Sequence, residues 1–205
     1  MNRIFDRLYN SLPKRHRGFV QEHIPGGGAN GFAWADSLTS QLVHDGDISV
    51  LLMGTLANNP TELEDAEYIL AEYRDAARMS SVKPASLMAM LSTNLEGPFA
   101  YIIHDRGIGR VLAARDAEGE QPLFWGTSLT PDGTLLLFGT DLLLLKDDCK
   151  DAAEFPSGAV FVSKPGSIEG TVCTFGASTL LQPELCRVES ANNIVGFAEV
   201  IKTDA

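Results

Sequence analysis

The spacing of hydrophobic positions changes period along this chain. Ile48-Ser49-Val50-Leu51-Leu52-Met53 is an apolar run of strand length closed by Gly54, and it predicts a strand buried on both faces. The period then turns helical. Leu63, Ala66, Ile69, Leu70 and Tyr73 form one stripe, preceded by Thr61 and Glu64 at the spacing of a capping box. Pro84 limits a second helix, in which Leu87, Met88 and Leu91 recur at helical spacing. From Phe99 onward the pattern is that of strands, over Phe99–His104, Gly109–Ala114, Leu123–Trp125, Thr134–Gly139 and Ala159–Ser163. Arg106-Gly107-Ile108-Gly109 and Pro131-Asp132-Gly133 carry turn residues, so neighbouring strands should pair as antiparallel hairpins. Strands, two helices and a run of hairpins predict an α+β layered domain, not alternating βαβ units.

The first 45 residues follow another pattern. Ile4, Phe5, Leu8 and Leu12 share one helical stripe among Arg3, Arg7, Lys14, Arg15 and Arg17, with Asp6 as the acid before Gly18. Such a basic amphipathic helix can pack on its own domain, dock on a partner, lie on an anionic membrane surface or resemble an import sequence. Gly26-Gly27-Gly28-Ala29-Asn30-Gly31 reads as a loop, because so many glycines disfavour helix and strand alike. A phosphate cradle would also need a preceding strand and a Lys-Ser/Thr opening the next helix, and neither is evident. The expected division is a basic helix with a glycine-rich connection over residues 1–45 and one folded domain over residues 46–205.

Composition narrows the classes. In 205 residues, 44% hydrophobic and 21% charged, a packed core is expected. The 27 acidic against 16 basic residues give a formal charge of -11, which opposes binding to a phosphate backbone, so nucleic acid is excluded as a partner. No apolar run reaches the roughly 18 to 20 residues of a membrane span, and the N-terminus lacks a continuous signal-peptide core, so a soluble chain is expected. Cys149, Cys173 and Cys186 are odd in number and lack metal-knuckle or redox spacing, which suits the cytoplasm or another reducing compartment. The basic helix keeps a mitochondrion or plastid open.

Several residues invite a chemical role and have a plainer one. Asp147 and Asp148 precede Cys149 and disfavour its thiolate, so it is a poor nucleophile; Cys173 and Cys186 read as small hydrophobes. His16, His23, His44 and His104 show no ligand spacing to one another or to a cysteine, so neither a metal nor another cofactor is expected. Arg115-Asp116 ahead of Gly119 reads as an ion pair holding a tight turn, and Phe124 and Trp125 as core.

One series of segments resembles a known domain: Leu95-Glu96-Gly97-Pro98-Phe99 running to His104-Asp105, Ala113-Ala114-Arg115-Asp116-Ala117-Glu118-Gly119, Pro122-Leu123-Phe124-Trp125-Gly126 and Glu154-Phe155-Pro156-Ser157-Gly158. Their order is similar to the class II, N-terminal-nucleophile (Ntn) glutamine amidotransferase domain of asparagine synthetase. Asp65-Ala66-Glu67-Tyr68-Ile69-Leu70-Ala71-Glu72-Tyr73 resembles a helix of that domain. The chain resembles still more the plant aluminium-induced or stem-specific proteins known for YGL and LRDR motifs. The segments that carry this are Pro122 to Gly126, Leu145-Lys146-Asp147-Asp148-Cys149 and Arg187-Val188-Glu189-Ser190, although at Ala71-Glu72-Tyr73-Arg74-Asp75 only Arg-Asp of LRDR remains. The resemblance covers roughly Ile48 to Lys202. It implies an Ntn-hydrolase-like four-layer αββα sandwich, here truncated at its N-terminal side, so that an exposed sheet edge or face would take a partner.

The same resemblance implies a substrate site at Gly54, whose N–H would face an oxyanion, and at Asp65, which would contact the amino group of glutamine. Departures from the family pattern argue against turnover. The family nucleophile is an N-terminal Cys, whereas this chain reads Met1-Asn2, with Asn too large for efficient methionine removal. The strand before Gly54 should end in Asn-Gly, and Met53 removes a donor of a kind worth about 3 kcal/mol to a transition state. His16-Arg17-Gly18-Phe19 is too faint an echo of the family's Arg-Gly-Pro for Arg17 to be carried over. Catalytic residues are therefore expected to be none, and Gly54 and Asp65 vestigial. The leading expectation is a catalytically inactive amidotransferase-like module, a binding or structural subunit of a larger assembly docked through its N-terminal helix or an exposed sheet. The alternatives are a sensor of glutamine or another small amino acid, and an amidohydrolase with a non-standard nucleophile.

Overall fold

A computed structural model describes residues 17–23, 29–35, 40–78, 84–130, 133–149, 151–175 and 186–187. Strands β1 (Arg17–His23) and β2 (Ala29–Ala35) pair with each other as an antiparallel hairpin. Thus Ala29-Asn30-Gly31 of the glycine-rich stretch is strand and not loop, while residues 24–28 and the basic helix expected before Arg17 lie outside the described residues.

The body is built on a seven-stranded antiparallel sheet. It contains β3 (Ser40–Asp45), β4 (Ile48–Gly54), β5 (Phe99–Asp105), β6 (Arg110–Arg115), β10 (Ala159–Ser163), β11 (Gly170–Thr174) and β12 (Cys186–Arg187), in the order β12-β11-β10-β6-β5-β4-β3. A second sheet of β7 (Phe124–Thr130), β8 (Gly133–Gly139) and β9 (Ala153–Glu154) has the order β8-β7-β9. Three helices complete the described elements: α1 (Asp65–Arg78), α2 (Pro84–Thr93) and α3 (Leu142–Lys146).

Alternation along the strands creates the layers, since successive side chains point to opposite faces. On β4, Val50 and Leu52 join Ile69 and Tyr73 of α1 and Met88 of α2 in one buried cluster. Leu51 faces the other way and, with Ala100, Ala113 and Phe161, meets Trp125 and Phe155 in a second cluster between the sheets. The far face of the small sheet carries Leu137 and half-buried Phe124 against Leu145 and Cys149. The result is helix, sheet, sheet, helix: an α+β sandwich of four layers. Trp125 anchors its centre, edge-on to Phe155 at 4.9 Å and to Phe161 at 5.6 Å between ring centroids. Burying each such ring stabilises the fold by roughly 1.5–3 kcal/mol.

The helical stripe places Ala66, Ile69, Leu70 and Tyr73 in the core, but Leu63 is 44% exposed. The helix begins at Asp65, and Thr61 does not cap it: Thr61 Oγ1 donates to Asn59 Oδ1 at 2.8 Å and accepts from Leu63 N–H at 3.2 Å, within the loop. The first turn of α1 is capped from another element, where Gln41 Oε1 on β3 accepts from Ala66 N–H at 2.9 Å. The apolar pattern does not mark β3, because only Leu42 and Val43 of its six residues are apolar and it sits at the sheet edge.

Candidate functional site

The site expected from Gly54 and Asp65 is built where β4 ends. Gly54 has φ 88°, and a Cβ there would lie 2.0 Å from Pro98 O, so only glycine fits. Gly97 opposite has φ 104°, and its Cβ would lie 2.7 Å from Thr55 O. The two glycines let the strand ends run on side by side, with Thr55 N–H donating to Pro98 O at 2.9 Å and Ala57 N–H to Glu96 O at 2.8 Å.

The loop that follows returns to the start of α1. Asp65 is half-buried in the first helical turn, where the helix dipole favours a carboxylate. Its Oδ2 accepts from Leu56 N–H at 2.9 Å and its Oδ1 from Asn59 Nδ2 at 2.9 Å. Asn58 clamps the opposite chain, donating to Asn94 O at 2.6 Å and accepting from Glu96 N–H at 2.9 Å. Gly54 and Asp65 therefore belong to one hydrogen-bonded loop, and both carboxylate oxygens already serve it. Met53, just before Gly54, is half-buried with its side chain on the core between the sheets. The position holds a thioether in an apolar setting, with no N–H to offer.

The turn after β6 supplies the third wall. Arg115 is buried and donates through Nε to Gln121 O at 2.7 Å, through Nη2 to Gly119 O at 2.6 Å, and through Nη1 to Phe155 O at 2.9 Å and Glu154 Oε1 at 2.6 Å. The ion pair expected with Asp116 is thus made with Glu154 instead. Adjacent residues at a strand end project apart, and Asp116 turns to accept from Glu120 N–H at 2.9 Å and Gln121 N–H at 3.0 Å. Together they press the turn 117–121 against the turn 155–158, leaving an open cleft of about 330 Å³ lined by Arg115, Glu118, Gly119, Glu154, Phe155, Pro156 and Ser157. The turn also carries Gln121 to Gly54: its Oε1 lies 3.2 Å from where a Cβ on Gly54 would be. Pattern reasoning misses Gln121, and its one signal is a carboxamide placed two residues after Gly119 and directly before Pro122.

The remaining candidates are packed. Cys149 and Cys173 are buried, and a Cβ on Gly126 would come within 2.8 Å of Cys149 Cβ, so the cysteine fills a notch made by a glycine. His104 is buried, and His44 Nδ1 is 2.8 Å from Ser49 Oγ. Among the described residues no group of three or more His, Cys, Asp or Glu side chains is placed to hold a metal ion. No described helix is long and apolar enough to cross a membrane. Met1, Asn2 and His16 lie outside the described residues, and Arg17 opens β1.

Comparison with known proteins adds a lineage to this geometry. A family model described as "Aluminium induced protein" matches residues 47–196. The chain is similar to asparagine synthetase [glutamine-hydrolyzing] 2 of Arabidopsis thaliana, 38% identical over 74 residues, which is 36% of this chain and 12% of the synthetase. Asparagine synthetase [glutamine-hydrolyzing] 1 of Saccharomyces cerevisiae is likewise 38% identical over 74 residues, 36% of this chain and 13% of its own length. Among solved structures, glutamine phosphoribosylpyrophosphate amidotransferase from B. subtilis is similar with a TM-score of 0.47 at 14% identity, covering 67% of this chain and 32% of that one. An allosteric regulatory enzyme of purine biosynthesis is similar with a TM-score of 0.48 at 13% identity, covering 67% and 31%.

Proposed function

The chain belongs to the aluminium induced protein family, and from that premise we propose that it is an amidotransferase-like module that does not hydrolyse glutamine and serves as a binding or structural subunit of a larger assembly. The observation that carries this reading is Met53. Acyl-transfer chemistry needs donors preorganised around the developing oxyanion, and removal of one such donor typically costs about 100- to 1000-fold in rate. Here the side chain beside Gly54 is apolar and packed into the core between the sheets. Asp65 supports the same reading, since its two oxygens hold Leu56 and Asn59 in the loop. Strands β3 and β8, at the edges of their sheets, offer main-chain groups on which a partner could pair.

A second reading, a sensor of glutamine or another amino acid, or an amidohydrolase with a non-standard nucleophile, is favoured by one feature. Asp65 is a half-buried carboxylate that accepts from the N–H of Leu56, two positions after Gly54 in the chain, which keeps a negative charge beside the loop that follows Gly54. The synthetases to which the chain is similar are named as glutamine-hydrolyzing, which makes glutamine the ligand to test.

The purified chain is expected to release no ammonia from L-glutamine above background, and in native extract at low salt to travel at a mass well above that of one chain. Steady turnover of glutamine would overturn the reading. A monomer that binds glutamine, with affinity lost in Asp65→Ala, would replace the subunit by the sensor.

A further inference from the structure

Of the four strands that end the two sheets of the body, one lacks the usual protection of an edge. β12 and β9 have two residues each, and β3 carries exposed His44 and Asp45, with Asp45 ion-paired to Arg74. β8 runs Gly133-Thr134-Leu135-Leu136-Leu137-Phe138-Gly139 with no charge and no proline, and no described strand lies beyond it. Short length, charge and proline are the means by which edge strands avoid pairing with another chain.

The register shows which main-chain groups reach that edge. Opposed residues of an antiparallel pair either exchange both N–H to O=C bonds or exchange neither. Leu123 O, at the start of β7, accepts from Phe155 N–H at 2.9 Å, and Thr127 N–H donates to Asp151 Oδ1 at 2.8 Å, so both residues address the side away from β8. Thr127 opposes Leu136, which therefore turns its N–H and C=O to the open edge, as do Thr134 and Phe138 two positions to either side. The strand is also close to a palindrome about Leu136. Laid antiparallel on a second copy of itself, Leu136 opposes Leu136, Thr134 opposes Phe138, Leu135 opposes Leu137 and the terminal glycines oppose each other. The outward residues then meet one another, and each such pair exchanges both of its bonds. No like charges are brought together, and half-buried Leu136, packed on the core between the sheets, gains a leucine beside it.

We propose that β8 pairs antiparallel with β8 of a second copy about a two-fold axis at Leu136, fusing the two small sheets into one with three strands from each chain. Such a contact is isologous, the same strand facing itself, and it closes at two copies. The pairing rests on the subunit reading above and names a first partner.

Sedimentation equilibrium of the purified whole chain should give a concentration-dependent mass that approaches twice the 22.1 kDa of one chain. Thr134→Pro removes an outward N–H from each copy and none that serves β7, so the variant should still unfold cooperatively while its dimer dissociation constant rises about tenfold or more. Hydrogen exchange is a second readout that needs no variant. Leu136 N–H should exchange more slowly as protein concentration rises, whereas Leu137 N–H, which faces Gly126 within the hairpin, should not change. A purified chain that stays monomeric overturns the pairing: a protected Leu136 amide in that monomer would assign the edge to a segment of the same chain, and a heavy particle seen only in extract would keep the subunit reading with another protein as partner. A dimer unmoved by Thr134→Pro, with exchange at Leu136 independent of concentration, overturns it as well. Ammonia release from L-glutamine by the β8-paired dimer would strike down the non-hydrolysing reading and leave the pairing standing.

Discussion

Arg115 takes its role from acceptors on two turns, Gly119 and Gln121 just beyond it in the chain and Phe155 on a distant segment. Its side chain is 6% exposed and serves the carbonyls of Gly119, Gln121 and Phe155, whereas the Glu154 side chain it also meets is 63% exposed. A buried guanidinium is tolerable only when its donors are matched, and a half-solvated carboxylate adds little. Arg115→Met should therefore lower the unfolding free energy by roughly 3 kcal/mol, and Glu154→Gln by less than about 1 kcal/mol, in urea titrations. Equal losses would mean that the ion pair and not the carbonyls holds the turn. The residue types Arg115, Asp116 and Gly119 do mark a structured turn in the sequence, but not which atoms close it. Those acceptors are main-chain groups, which every residue carries, so no side-chain pattern can point to them.

At the scale of elements, apolar runs and turn residues located β4, β5, β6, β8 and β10 within a residue or two; β4, β5 and β10 are buried on both faces and leave a continuous apolar signature, and β8, though an edge strand, is marked by the run Leu135 to Phe138. Half-buried and edge strands leave a weaker one. β3 is one such case; the later part of β7 is another, where Gly126, Thr127 and Ser128 dilute the pattern and Asp151 holds Thr127 through both its main-chain N–H and its hydroxyl. The start of α1 is the sharpest contrast. Thr61 and Glu64 have the spacing of a cap, yet the cap comes from Gln41 on a neighbouring strand. Gln41→Ala is expected to cost about 1 kcal/mol, the usual worth of a capping side chain, and Thr61→Ala about half of that or less. Urea unfolding of the two variants decides between them, and a larger loss for Thr61→Ala would restore the capping box.

The whole molecule registers its packing in two tyrosines. Tyr73 and Tyr101 both lie in the core between the helices and the large sheet. Burial raises the pKa of each above the ordinary phenol value; for Tyr73 the hydrogen bond to Asp105 at 2.7 Å and the charge of Asp105 raise it further, while the bond between Tyr101 and Ser92 works the other way. In the unfolded chain these hydroxyls titrate near pH 10. Below about pH 10 they are protonated in both states and their contribution is complete; above it the unfolded state loses protons first, so stability falls as pH rises. Unfolding free energy measured across that range should decline more gently in Tyr101→Phe than in the wild type, and an identical decline would remove Tyr101 from the account. The order of residues was enough to specify a strand, two helices and a series of hairpins and an α+β layered class, since periodicity and residue type are local properties; that a donor is missing at Met53 is what the family resemblance implies. Beyond the four layers that the family resemblance implied, the capping of α1 by Gln41, the reach of Arg115 to Glu154 and Phe155 and the arrival of Gln121 beside Gly54 depended on chain closure. Each is a contact between positions distant in sequence, and its geometry exists only once the two sheets have packed.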